Sequence, residues 1–166
     1  MLDKTAFLAS LKHEVKIIKH LAAQLAPAHL DYRPTPAQRS TLELMRYLSI
    51  VGNATLGYAL SGTWDHWEAM EKQSASVDLG SFAKAMDRQY KAIEKGLAGH
   101  TDAKLRKQRT KTFSGVETTL GHGLVEMVLK TFTAYRMQLF LYLKGSGREE
   151  LNTMNLWVGM DNMPSA

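Results

Sequence analysis

Six histidines and six tyrosines are the side chains of this chain best suited to acid–base or metal chemistry, and cysteine is absent. Without thiols there is no disulfide framework, no thiolate zinc site and no cysteine nucleophile. His122 and Glu126 stand four apart, the spacing that places two side chains on one helical face where they could share a metal. Rotation along a straight helix puts them on the side opposite Thr131, so an exposed pair is the expectation. His13 and His20 are seven apart but point away from the apolar stripe of their segment, which reads as a solvated face. His29, His66 and His100 fall in connections, without a partner at readable spacing. No Ser-His-Asp order, glycine-rich phosphate loop or HExxH occurs.

Hydroxyl groups make the more unusual pattern. Thr131 and Tyr135 interrupt an otherwise apolar line, Leu120, Leu124, Val128, Thr131, Tyr135, Leu139 and Tyr142, and Tyr58 belongs to the apolar face of another segment. Two readings stand: hydroxyls bonded to one another or to a trapped water, or a pocket for a small organic ligand. A tyrosine acting as a general acid would need a lowered pKa, and no Lys or Arg reads as inward to lower it.

The elements that carry these residues have a helical period. Leu8, Leu11, Val15, Ile18, Ala22 and Leu25 form one stripe, which Pro27 ends. The stretch AHLDYRPTPAQRS reads as an extended connection. Ser40-Thr41-Leu42-Glu43 is a capping box, so the second helix starts near Thr41 and runs to about Ser61, where Gly62 breaks it. Residues 63–70 suit a short helix within a long crossover. There, Trp64, His66 and Trp67 either roof a pocket or simply pack. The third helix has Leu79, Phe82, Met86, Tyr90, Ile93 and Leu97, and the fourth runs from near Thr118 or Thr119 to Gly145. No segment alternates like a strand. The whole of 1–166 reads as one domain, with 151–166 a C-terminal capping tail. Its fold class is all-α, a four-helix bundle with a long crossover between helices 2 and 3.

The chain has 166 residues, with 21 Lys and Arg against 16 Asp and Glu, a net charge of +5. Five of the basic residues, Lys104, Arg106, Lys107, Arg109 and Lys111, lie in the connection before the fourth helix, and the other 16 balance the acids. The run 104–111 could neutralise phosphates of a nucleic acid, but it has one nearby aromatic, Phe113, and no reading motif, so a solvated loop is the expectation. The most apolar stretch, 124–143, holds Glu126, Lys130 and Arg136 and reads as a buried helix rather than a membrane span. A cytoplasmic protein without a membrane partner is expected.

Two stretches resemble the DinB-like (DinB/YfiT) family. Leu30-Asp31-Tyr32-Arg33-Pro34 with Arg39-Ser40-Thr41-Leu42-Glu43-Leu44-Met45-Arg46-Tyr47-Leu48 resembles its WRP segment, capping serine and following helix. Tyr135-Arg136-Met137-Gln138-Leu139 with Tyr142-Leu143-Lys144 resembles its "HRGQL…YL" motif. The resemblance implies a four-helix bundle with a long crossover, a homodimer, and a three-histidine divalent-metal site between helices 2 and 4. Relatives include metal-dependent thiol S-transferases and isomerases. The three ligand positions correspond here to Tyr47, Thr131 and Tyr135, whose neutral oxygens bind zinc or nickel far more weakly than imidazole. The expectation is a protein with no cofactor that binds a small ligand around Tyr47, Thr131, Tyr135 and Tyr58. The alternatives are an enzyme that uses a divalent metal such as Zn or Ni through substituted ligands, and nucleic-acid binding through 104–111.

Overall fold

The computed structural model describes residues 3–161. Helix α1 (Lys4–Ala23) begins where the Asp3 carboxylate accepts from the Ala6 amide at 2.7 Å. Phe7, Leu11, Val15, Ile18 and Ala22 are buried along it, while Leu8 and Leu25 are only half-buried. A single 3-10 turn at Pro27–His29 follows, and an irregular connection leads to α2 (Thr41–Ser61). Both halves of the Ser40/Glu43 capping box form: the serine hydroxyl accepts from the Glu43 amide at 3.2 Å, and the Glu43 carboxylate accepts from the Ser40 amide at 2.7 Å. Gly62 closes the helix at φ 78°, a left-handed conformation that glycine adopts without a Cβ penalty.

The crossover carries α3 (Trp67–Ser74), four residues later than the 63–70 segment expected to be helical. Helix α4 (Leu79–Gly96) is capped by Asp78. The basic segment is more structured than a loop. Lys104, Arg106 and Lys107 fall in α5 (Asp102–Lys107), and Arg109 and Lys111 in strand β1 (Arg109–Lys111). Strand β1 pairs antiparallel with β2 (Glu117–Thr119), Arg109 opposite Thr119. A reading with no strand is therefore corrected. Each strand has three residues, too few for alternation to register. The Thr110 hydroxyl donates to the Ala59 carbonyl at 2.8 Å and ties the hairpin to α2.

The last long helix has three parts: α6 (Leu120–Gly123), a π-helical segment Leu124–Leu129, and α7 (Lys130–Gly145). A π turn adds one residue to the helix and rotates everything after it by about 100°. Leu120 is buried before it, Leu124, Met127 and Val128 within it, and Phe132, Arg136, Leu139, Phe140, Tyr142 and Leu143 after it. A straight helix would have kept Thr131 and Tyr135 on the core line. Here they are half-buried on its flank, and Arg136 takes a core position, only 2% exposed. That corrects the reading in which no arginine points inward.

Helices α1 and α2 each pack on both α4 and α7, which closes the bundle, and α3 lies against α2. Gly52 is required at the α2–α7 contact, because a Cβ there would overlap the Phe132 ring. The tail folds back as α8 (Thr153–Trp157) on α1 and α7, burying Leu151 and Leu156. It also gives His13 and His20 partners that a solvated face would lack. His13 meets the Trp157 carbonyl at 3.0 Å and His20 meets the Asn155 amide at 3.2 Å. Residues 162–166 of the expected capping tail lie outside the described residues. Among the described residues no helix is long and apolar enough to cross a membrane.

Candidate functional site

The capping box fixes where α2 begins, and hence where Tyr47 emerges two turns later. The π-helical rotation turns Thr131 and Tyr135 toward the same place. These three residues line a cleft of about 640 Å³ with Val51 and Thr55 of α2, Trp64, Trp67 and Glu68 of the crossover, Phe113 of the hairpin, and Arg39. Tyr58 is not part of the lining. It stands behind Trp64, the two rings stacked with centroids 4.6 Å apart.

Aromatic rings form one connected wall. Phe113 packs on Trp64 at 5.8 Å and on Tyr58 at 5.7 Å. Trp64 meets Trp67 edge-on at 6.3 Å, Trp67 meets Tyr47 at 5.9 Å, and Tyr47 meets Tyr135 at 4.8 Å. Such pairs favour offset or edge geometries and hold one another's rotamers. Trp64 and Trp67 therefore roof the cleft, whereas His66 does not face it. Phe113 at the hairpin tip packs one side on this wall and remains 53% exposed.

The polar groups are few and specific. The Thr131 hydroxyl donates to the Met127 carbonyl at 2.6 Å, so it answers its own helix rather than another tyrosine. The Tyr47 phenol is pushed to a higher pKa, first by burial and then by the Tyr135 hydroxyl beside it, against the smaller opposing effect of Arg39. Arg39 places its guanidinium 4.1 Å from the centre of the Tyr47 ring. Its backbone carbonyl accepts from the Tyr142 hydroxyl at 3.0 Å, which pins this rim to α7. Arg39, Val51, Thr55, Glu68 and Phe113 carry no pocket assignment from the sequence. Arg39 has a local signal in its place next to the capping serine, and Val51 and Thr55 in their helical spacing with Tyr58.

The residues at the three ligand positions implied by the family resemblance are thus brought together, but their chemistry fits a divalent transition ion poorly. Metal ligation needs a deprotonated or strongly basic donor. Thr131 is already engaged, and the environment of Tyr47 opposes loss of its proton. Among the described residues, no three His, Asp or Glu side chains gather at one point. His122 and Glu126 are 3.7 Å apart on the surface, where Glu126 binds Lys130 at 2.6 Å.

Among solved structures, the crystal structure of a DinB-like protein (YjoA) from Bacillus subtilis superposes with a TM-score of 0.64. The match covers 88% of this chain and 94% of the other at 20% sequence identity. This chain has a DinB-like fold. No protein-family model matches the sequence, and no curated protein does. Likeness at that identity concerns the fold, and the chemistry of the cleft rests on the residues of this chain.

Proposed function

We propose that this protein binds a small organic molecule in the cleft between α2, α3 and α7, without the divalent metal that the family resemblance implies. The observation that carries the reading is the cleft itself. It is an open cleft of about 640 Å³, within the size range of small-molecule sites, and combines a continuous aromatic wall with a few polar groups. The hydroxyl donors at the three ligand positions support a metal-free site, since a threonine bonded to its own helix and a phenol with a raised pKa are weak ligands. The competing reading is a metal-dependent S-transferase or isomerase that uses these substituted ligands.

Metal analysis of the purified protein separates the two, together with thermal unfolding in the presence of Zn²⁺, Ni²⁺ and Mn²⁺. The proposal expects substoichiometric metal and no specific rise in the unfolding midpoint. Stoichiometric metal that disappears in Tyr47→Phe or Tyr135→Phe would overturn it.

A further inference from the structure

The cleft has a second lobe of different character. A cavity of about 440 Å³ adjoins the aromatic one and shares Arg39, Tyr47 and Trp67 with it. Its lining adds two further arginines, Arg33 and Arg46, and the acids Glu43 and Glu71. Arg33 is engaged: it donates to Glu43 at 2.8 Å and to the Gln38 carbonyl at 2.8 Å. Arg46 donates through Nε to the Val77 carbonyl at 3.1 Å, and among the described residues its terminal nitrogens have no partner. The Arg39 guanidinium makes no hydrogen bond or ion pair among the described residues and lies against the Tyr47 ring.

We infer that the ligand is a carboxylate with an aromatic or long apolar body. Its head would lie on Arg39 and Arg46, and its body along Trp64, Trp67 and Tyr47. The inference rests on the proposed reading of the cleft as a ligand site. A guanidinium presents a planar fork of N–H donors that matches a carboxylate in two parallel bonds. Stacking on the Tyr47 ring places the guanidinium of the exposed Arg39 at the border of the two lobes, and Val77 holds that of Arg46. Acids also face the cleft, Glu68 the aromatic lobe and Glu71 the polar one. Both are exposed on α3 and their carboxylates make no hydrogen bond among the described residues, so they can turn to water. Glu43 is held and neutralised by Arg33, the Arg39 and Arg46 guanidiniums are directed by Tyr47 and Val77, and Glu68 and Glu71 are unattached; that difference sets the sign of the ligand's charge.

Three probes of one shape test this by calorimetry: phenylpropionate, phenylpropionamide and phenylpropylamine. The carboxylate should bind about tenfold more tightly than the amide, the usual scale for a charge-assisted hydrogen bond. Arg39→Gln should erase that preference by weakening the carboxylate more than the amide, which separates a lost head contact from a damaged pocket, where both fall alike. Arg39→Lys, which keeps the charge without the fork, should restore only part of it. An amide that binds as tightly as the carboxylate, or an amine that binds best, overturns the assignment of charge and leaves the pocket standing. Failure of all three probes at about 10 mM overturns the pocket reading and this inference with it.

Discussion

Arg136 of α7 sets its Nη1 3.1 Å from Oε1 of Glu14 on α1, with the arginine side chain only 2% exposed. The Thr133 hydroxyl donates to the same oxygen at 3.1 Å, and the Trp157 ring covers the guanidinium at 4.8 Å. Glu14 Oε2 and Arg136 Nε remain without partners inside the protein. A buried pair in this state contributes little net stability while both members are present, yet breaking it strands a charge.

Removing one partner should therefore cost more than removing both. Arg136→Met alone should destabilise by about 3–5 kcal/mol, and Arg136→Met with Glu14→Leu should recover most of that loss. Urea unfolding of the two variants and the parent measures the difference. The pair also carries a pH signature. Burial lifts the Glu14 pKa above its ordinary 4.5 by more than Arg136, Thr133 and His13 lower it. A carboxyl with a raised folded-state pKa holds its proton more tightly folded than unfolded, so its contribution to stability grows as pH falls toward 4.5. The stability of the parent relative to Glu14→Gln should rise on acidification through that window. A flat difference would place Glu14 in an ordinary environment.

Tyr47 supplies the alkaline counterpart. Its phenol is held above the ordinary value of 10 by burial and by Tyr135. The unfolded chain therefore ionises first, and the stability associated with this group is lost as pH rises above 10. The parent should lose stability relative to Tyr47→Phe over that range. Ultraviolet absorbance should show fewer tyrosines ionising near 10 in the folded parent than in the unfolded chain, because burial and Glu94 also raise Tyr90, and Tyr47→Phe should remove one of the late-ionising phenols. If Tyr47 titrates with the exposed phenols, the site is wetter than its ring contacts imply.

Two glycines of α2 should respond in opposite directions. Gly52→Ala forces a methyl into the Phe132 ring at a fully buried contact and should destabilise by about 1–3 kcal/mol despite its better helix propensity. Gly57→Ala meets open space in the same helix and should stabilise by about 1 kcal/mol. Thermal or urea unfolding of the two variants reads both signs. A neutral Gly52→Ala would show that the α2–α7 contact yields easily.

Sequence by itself determined where most of the bundle starts and stops. Ser40 and Glu43 set the first turn of α2, Gly62 closes it, and Pro27 ends the run of α1. The apolar stripes mark four long helices because each signal acts within about one helical turn, among residues that are neighbours in the chain. The DinB-like motif stretches likewise anticipated the fold. Leu120, Leu124, Val128, Leu139 and Tyr142 of the expected inward line are buried, and tertiary structure alone decided that Arg136 joins them while Thr131 and Tyr135 lie on the flank. A π turn leaves no period of its own in the sequence. It forms here with Phe132 against Gly52 and Arg136 against Glu14, contacts between residues far apart in the chain. That single rotation carries Arg136 inward and turns Thr131 and Tyr135 toward the cleft. The gathering of Arg39, Tyr47, Trp64, Trp67 and Phe113 is non-local in the same way. A connection, a bundle helix, the crossover and a hairpin each contribute to it, and only packing brings them to one place.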